Sequence, residues 1–452
     1  MNRFLAFSVA ILIAACGGDS KTTDSGSTPQ ADTVTSADQS ASDEGSIQDS
    51  ESADLAVAED TSEKVCGPAG SGNPGARAEL FGVYDPNREQ LVFWGGHDVL
   101  PENCTTAVGP VGLNGLWTYD TACATFEQVA HTGGPTGRAR GMAVYDSDKD
   151  QMVIFGGRRR VGSSGPYEIF NESWSLDLET MTWTQIQTTG PVPTKRSNPA
   201  GGYNHLTKEM ILFGGNSSTS GASFIPHDDV WALNLETSTW REITATGPKP
   251  DARLLHSAAV DAQGARLFIY GGGDENALFS ATAFMADLWV FDLNTGVWTQ
   301  LDSGASGGPM PRIWATITYD EINDRVLLFG GHDNGQVGNN NDTWAFNLSS
   351  NTWQNLIEPQ VTNKPANGFC DFPPDFILPN MDAPERRSAH LAGLDTTRGE
   401  WVVFGGKTDC GMIDDVWVFS LIQDAWVRLA PATIGESCNR GETPELCVAM
   451  CQ

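Results

Sequence analysis

Residues 74–430 carry short apolar runs broken by Gly, Pro, Asn and Asp, the pattern of half-buried strands joined by tight turns. One such run, closed by a pair of glycines, occurs six times: Gly95 and Gly96, Gly156 and Gly157, Gly214 and Gly215, Gly271 and Gly272, Gly330 and Gly331, and Gly405 and Gly406. The pairs follow one another at 57 to 61 residues, except for one interval of 75, so the chain is a tandem repeat. Downstream of each pair an apolar stretch holds a tryptophan: Trp117, Trp174, Trp231, Trp289, Trp344 and Trp417. Nine residues later comes a second aromatic: Phe126, Trp183, Trp240, Trp298, Trp353 and Trp426. Upstream of each pair stands Pro-x-x-Arg, ending in Arg77, Arg138, Arg196, Arg253, Arg312 and Arg387.

Each unit divides into four strand-like runs, which in the fourth unit cover 255–260, 266–270, 288–293 and 298–301. Four antiparallel strands make one propeller blade, and a ring of blades removes its ends by closure. The predicted fold is therefore all-β, a six-bladed β-propeller of four-stranded antiparallel blades. The diglycine after an apolar strand, the spaced aromatic pair and the loop Pro and Arg resemble the kelch repeat over nearly four-fifths of the chain. The glycine pair is expected to end the second strand at a tight turn against the neighbouring blade, and the two aromatics to pack between blades. Copy one begins with its own Pro74 and Arg77, and copy six ends with its own Trp426. No strand is then borrowed across the closure, and both ends of the repeat array should meet at the junction of blades six and one.

In an antiparallel blade the start of the first strand, the end of the second and the start of the third share one edge. The Pro-x-x-Arg loops and the post-diglycine loops thus fall on one face, which also carries the long 158–167 and 273–284 loops and the 358–386 insert with Phe372 and Phe376. Loops on a rigid scaffold are where binding usually resides. A carboxylate lies two residues before the third-strand tryptophan in five copies: Glu172, Asp229, Asp287, Asp342 and Asp415. The six repeat arginines form either an anion-binding collar or one ion pair per blade, and the repetition of both signs on one edge favours pairing. Copy one has Gly115 at the carboxylate position, which leaves Arg77 the least neutralised. Further candidates for the ligand face are His97, Asp98, His227, His332, Asp333, Glu168, Asp274 and the basic cluster Arg158, Arg159 and Arg160. Imidazoles and carboxylates could bind zinc or shuttle protons, but from separate blades they would have to converge, so no metal is assigned. The arginine cluster could receive an anionic group, or be a solvated loop that balances nearby acids.

The first twenty residues read differently: one basic residue, Arg3, an apolar run from Phe4 to Ala15, then Cys16 and two glycines. The run is too short to span a bilayer. Ile13-Ala14-Ala15-Cys16 resembles the bacterial lipobox, which implies a signal peptide over 1–15 and a lipid on Cys16; an ordinary secretory signal with a chance cysteine is the alternative. Gly17 after the cysteine, where Asp would signal retention, implies an outer-membrane or cell-surface address. From 17 to 65 there is no aromatic residue, and twelve acidic side chains face two basic ones. Such a segment cannot bury enough apolar surface to fold and is expected to act as a tether of roughly 35–42 Å r.m.s. span. The expected domains are signal peptide 1–15, lipidated cysteine and acidic tether 16–65, propeller 66–430, and a cysteine-containing tail 431–452. Eight cysteines remain after Cys16, an even number in an exported chain, which favours up to four disulfides. A bridge from Cys66 to Cys438, Cys447 or Cys451 would staple the closure seam, and Cys104 with Cys123 and Cys370 with Cys410 are the expected local pairs.

Acidic residues outnumber basic ones 57 to 27, for a net charge of −30. Nucleic acid is thereby disfavoured as a partner, and contact with a membrane is expected through the lipid anchor only. The kelch resemblance includes the central domain of galactose oxidase and bacterial sialic-acid mutarotases. Copper-radical chemistry does not fit, since Tyr167 is the one tyrosine in a long post-diglycine loop and no separate copper domain exists. A mutarotase needs only a few acids and bases in the funnel, which Glu168, His332, Asp333 or Asp274 could supply. The expected function is a surface-anchored, non-catalytic module without cofactor that binds a protein or glycan. A sugar isomerase or a passive envelope component are the alternatives.

Overall fold

A computed structural model of the chain describes Lys64, Cys66, Gly70 and residues 72–433, apart from 99–100, 104–105, 108–112, 161–165, 222, 262–264, 278–279, 306, 334–337, 360–380 and 409–410. Cys16, the tether to 63, Phe372, Phe376, Cys104, Cys370, Cys410, Cys438, Cys447 and Cys451 lie outside the described residues.

Six four-stranded antiparallel sheets follow one another along the chain, each with its strands in sequence order. Blade one comprises Phe81–Asp85, Gln90–Trp94, Leu116–Asp120 and Thr125–Val129; blade six comprises Leu391–Asp395, Glu400–Phe404, Val416–Ser420 and Ala425–Ala430. Neither borrows a strand from the other. In blade four the strands are Ser257–Val260, Arg266–Tyr270, Leu288–Asp292 and Val297–Asp302. The first begins two residues later than its apolar run because Leu255 sits at φ +60°, a left-handed conformation that no strand contains. Among the described residues the helical element is the 3-10 turn Ala281–Ala283, and no helix is long and apolar enough to cross a membrane.

The first strands form the innermost ring, each touching the first strands of both neighbours, and the blade-one strand touches the blade-six strand. Second strands are buried on both faces, as the near-continuous apolar runs require. In blade one, Leu91 and Phe93 join a cluster with Val402 and Phe404 of blade six, while Val92 and Trp94 join one with Met152 and Trp183 of blade two. Alternation along the strand thus feeds two junctions at once.

The aromatic that ends each second strand meets the fourth-strand aromatic of the next blade. Trp94–Trp183, Phe155–Trp240, Phe213–Trp298, Tyr270–Trp353, Phe329–Trp426 and Phe404–Phe126 have centroids 4.6–5.6 Å apart. Inter-blade packing of the fourth-strand aromatics is as the repeat implies. The third-strand tryptophans lie at the same junctions, Trp117 with Phe404 of blade six, Trp231 with Phe155 of blade two and Trp289 with Phe213 of blade three. Trp231, Trp289 and Trp344 also set their rings edge-on to the fourth-strand tryptophan of their own blade, at 6.4–6.5 Å. A carboxylate that accepts each indole N–H fixes that orientation.

The glycine pairs follow the second strands and are not their last residues. Those strands close on Trp94, Phe155, Phe213, Tyr270, Phe329 and Phe404, and both glycines of each pair then turn to positive φ, which breaks the ladder. Gly96, Gly157, Gly215, Gly272, Gly331 and Gly406 lie at φ +79° to +109° and make a backbone latch with the period of the repeat. Gly96 donates its N–H to the Arg138 carbonyl, Gly157 to Arg196, Gly215 to Arg253, Gly272 to Arg312 and Gly331 to Arg387, at 2.9–3.0 Å. Gly406 donates to Arg77 at 2.9 Å and closes the ring. The first glycines, Gly95, Gly156, Gly214, Gly271, Gly330 and Gly405, lie at φ +63° to +75°, and a Cβ there would stand 2.6–2.9 Å from that same arginine carbonyl. Two demands coincide on one residue, a left-handed backbone and close approach of the next blade, so glycine is required.

The cysteines correct one expectation. Cys66 bonds to Cys123, with sulfurs 2.13 Å apart, instead of reaching a cysteine beyond blade six, and Cys123 is therefore not the partner of Cys104. Lys64 lies beside the turn that carries Cys123, with its ammonium 2.9 Å from Asp120 and donating to the Arg88 carbonyl at 3.0 Å. The seam itself is held by its apolar cluster and by polar contacts. The Tyr84 hydroxyl donates to Asp395 at 2.7 Å, and the Asn73 amide donates to the Thr433 hydroxyl at 2.6 Å.

Candidate functional site at the channel mouth

The repeat arginines are buried and paired, not arranged as an anion collar. Arg196–Asp229, Arg253–Asp287, Arg312–Asp342 and Arg387–Asp415 are two-pronged, with N···O distances of 2.5–3.0 Å, and Arg138–Glu172 makes a single contact at 2.9 Å. Burial opposes ionisation of Asp229 and Asp287, but the guanidinium outweighs it and holds both below the usual carboxylate range. Each of these arginines also donates to the carbonyl of the first glycine in its own blade, so one side chain ties three loops together. Arg77 stands apart. With Gly115 where its partner would be, it donates to the Gly75 carbonyl and lies over Trp117 at 5.7 Å. Burial lowers its pKa to about 10, with Asp98 and Asp414 partly offsetting the shift.

Two residues beyond each arginine the chain reaches the channel. Glu79, Arg140, Asn198, Leu255, Trp314 and Ala389 occupy this column, and all six are left-handed, at φ 53° to 64°. They are laced by backbone bonds between neighbouring blades: Glu79 N–H to Ala389, Arg140 to Glu79, Asn198 to Arg140, Trp314 to Leu255 and Ala389 to Trp314, at 2.6–3.1 Å. A left-handed residue turns its side chain where a strand residue would not, and here each one enters the lining of the channel mouth. Outside this ring lies a second, the residue after each glycine pair: His97, Arg158, Asn216, Gly273, His332 and Lys407. Isolated bridges pair these with the residue after each arginine, from Ala78 with His97 to Ser388 with Lys407. Both loop families therefore share one face.

The two rings concentrate charge on one side. Glu79 is buried and contacts Arg140 through two nitrogens, Lys407 at 2.5 Å and His97 at 3.0 Å. Burial alone would raise its pKa, but Arg140, Lys407 and His97 outweigh it and hold the carboxyl well below the usual range. Burial also lowers His97 and Lys407 despite the neighbouring carboxylate. Arg158 is pushed down to about 9 by burial and by Arg140. Across the mouth, the indole of Trp314 receives Arg140 at 5.2 Å and Lys407 at 4.7 Å over its face. Leu255, Trp314 and Ala389 form the apolar wall, behind which His256 and His390 are held neutral by burial, His256 at about 3. The mouth encloses about 180 Å³, the channel below it about 260 Å³, and the opposite opening about 480 Å³ among first-strand residues of all six blades.

Of the ligand-face candidates, His97 and Arg158 join this cluster, while several others meet partners in their own loops. Arg158–Arg160 pairs with Tyr167–Ile169 as a short hairpin, in which Arg159 binds Glu168 at 2.6 Å. Asp274 accepts the Asn276 N–H, and Asp333 accepts the Gly338 N–H at 3.0 Å. His332 pairs with Asn339 in a two-residue ladder, His227 bridges Arg253 through the backbone, and Asp98 is exposed. Glu168, His332, Asp333 and Asp274, the residues a sugar isomerase would use, sit in the loops of three different blades. Glu79, Arg140 and Trp314 escaped sequence reasoning because no residue type repeats in their column, and Lys407 because no other copy has lysine at its position. The signal lay in constant distance from the arginine and from the glycine pair.

The kelch-repeat domain model described as KLHDC2/KLHL20/DRC7 Kelch-repeats matches residues 42–205 and 202–371, and blade six lies beyond that match. Curated relatives include acyl-CoA-binding domain-containing protein 5 of Arabidopsis thaliana, 28% identical over 258 residues, 55% of this chain and 37% of the relative. Kelch domain-containing protein 10 of Homo sapiens is 25% identical over 303 residues, 64% of this chain and 60% of the relative. The leucine-zipper-like transcriptional regulator 1 homolog of Drosophila melanogaster is 24% identical over 323 residues, 70% of this chain and 28% of the relative. The chain thus spans less than two thirds of the length of these curated relatives. Six diglycine blades locked by the same arginine and aromatic contacts, together with a family match over more than half its length, place this chain in the kelch-repeat family.

Proposed function

We propose that the chain is a protein-binding propeller, held at a cell surface by a lipid on Cys16, that captures a partner through the channel mouth. Kelch propellers are typically protein-interaction modules, and relatives of this chain are kelch domain-containing proteins. The observation that carries the choice of face is the convergence of Arg140, Arg158 and Lys407 around the single carboxylate of Glu79, in a chain of net charge −30. A local excess of positive charge in a confined, partly desolvated mouth attracts an acidic group far more strongly than the same charges would in open water. The facing wall of Leu255, Trp314 and Ala389 suits an apolar side chain beside that group. The partner segment is therefore a protein loop or strand that carries Asp or Glu next to an apolar residue.

Selection from a random-peptide display library tests this. The wild-type Cys66–Gln452 fragment should enrich acidic peptides with an adjacent apolar residue, and its Arg140→Glu/Lys407→Glu variant, shown by circular dichroism to be folded, should not. Enrichment that is unchanged by the variant, or peptides without an acid, would refute the reading. Metabolic labelling with a fatty acid, compared between wild type and Cys16→Ser, checks the anchor separately.

A further inference from the structure

Behind the mouth, the hairpin of Arg158–Arg160 and Tyr167–Ile169 folds over a narrow, partly open cavity of about 10 Å³ between blades one and two. Its walls include Glu79, His97, Arg140, Arg158, Arg160 and Tyr167. A volume of roughly 10–15 Å³ admits one water-sized sphere, so a single atom fits and a polyatomic oxyanion does not. Arg158 is 7% exposed, with its guanidinium 3.9 Å from the Tyr167 ring centre, so one π-face is covered and its N–H edges stay available. Its Nη1, and Nε of Arg160, have no hydrogen-bond partner among the described residues. The local carboxylates are already engaged: Glu79 holds Arg140, Lys407 and His97, and Glu168 holds Arg159.

We infer that this cavity is a binding site for a monatomic halide, which accepts hydrogen bonds from Arg158 and Arg160 and pins the hairpin of blade two against the blade-one loop. A buried cationic donor without an acceptor is costly. A carboxylate from elsewhere in the chain would need a side chain threaded into a space of one atom, whereas a halide needs neither covalent reach nor orientation. Burial and the nearby Arg140 both disfavour the charged form of Arg158, Glu79 offsets them only in part, and an anion in the cavity would add to that offset. The inference does not depend on partner binding at the mouth.

The test is thermal unfolding of the Cys66–Gln452 propeller fragment in sodium gluconate, sulfate, chloride and bromide at constant ionic strength. Chloride and bromide should raise the midpoint saturably relative to gluconate, by about 2 °C near 100 mM, while any rise in sulfate should grow with concentration without saturating. Arg158→Gln and Arg160→Gln should each abolish the halide-specific rise. Should one of these variants fail to fold, crystals grown in bromide provide the second readout, an anomalous peak between Arg158, Arg160 and Tyr167. Identical midpoints in gluconate, chloride and bromide, or a halide response that survives both substitutions, would overturn the site, as would a bromide crystal with no peak there.

Discussion

Two columns of the repeat, two residues apart, behave in opposite ways. Arg77, Arg138, Arg196, Arg253, Arg312 and Arg387 keep one side chain and one set of contacts around the ring, with blade one as the exception that lacks the carboxylate. Glu79, Arg140, Asn198, Leu255, Trp314 and Ala389 keep one backbone conformation and share no chemistry. The first column holds the blades to their loops and cannot vary without leaving a buried charge unpaired. The second is carried by that frame and is free to differ, and it faces the channel. The invariant frame and the variable lining of the channel are thus separated by a single intervening residue.

The largest break in this comparison should come from the arginine column. Arg387 and Asp415 are both fully buried, so Asp415→Ala leaves a guanidinium without its counter-charge and should cost about 3–5 kcal/mol in urea unfolding. Arg77→Met removes a buried arginine that makes no two-pronged carboxylate contact among the described residues, with Asp98 and Asp414 acting on it only through their charge, and should cost less than Asp415→Ala, about 1 kcal/mol. Equal losses in the two variants would mean that pairing is not what the arginine column contributes. Next in size is Gly405→Ala, which forces a Cβ to 2.7 Å from the Arg77 carbonyl at φ +65° and should cost about 1–3 kcal/mol.

The buried histidines give a smaller effect that depends on pH. His256 and His390 are neutral in the folded ring, with pKa values far below those of the unfolded chain. As the pH falls below about 6.5 the unfolded state takes up protons that the folded state refuses. Stability should therefore drop on acidification, by about 1.4 kcal/mol per pH unit for each histidine, down to the folded values. His256→Leu, which copies Leu80 of blade one, should flatten this slope between pH 6.5 and 5 in chemical unfolding. An unchanged slope would show that His256 is protonated in the folded state. Glu79 works at lower pH. Its contribution is present above the ordinary carboxyl range and is lost as the pH falls through its depressed value.

The smallest effects belong to the mouth column. Ala389→Gly relieves a left-handed alanine and should stabilise by up to about 1 kcal/mol, since glycine's greater unfolded freedom offsets part of the gain. Trp314→Ala, at a half-buried site, should move unfolding less than Trp240→Ala, which opens a fully buried junction and should cost about 3–5 kcal/mol.

The six blades were legible in the sequence because their landmarks repeat as residue types, and each landmark meets one physical need. The glycine pair meets the latch, the fourth-strand aromatic meets the neighbouring second strand, and the arginine meets its carboxylate. The mouth was legible only in part: His97 and Arg158 stood out in the loops after the glycine pairs, but Leu255 and Trp314 read as ordinary apolar residues until their left-handed backbone turns them into the channel. The Cys66 pairing was missed for a related reason. Proximity to the seam in sequence suggested a staple there, but Cys66 lies at the third-to-fourth-strand turn of blade one, where Lys64 also meets Asp120.

The central claim is that partners enter at the mouth and not at the wider opening on the other face. Photo-crosslinking from p-benzoylphenylalanine placed at Asn198, in the mouth ring, and at Glu321, beside the opposite opening, tests it in extracts of cells that make the protein. The account expects a crosslinked protein from Asn198 that is lost in the Arg140→Glu/Lys407→Glu background, and none from Glu321. Crosslinking from Glu321 alone, or from Asn198 irrespective of the charge reversal, would contradict it.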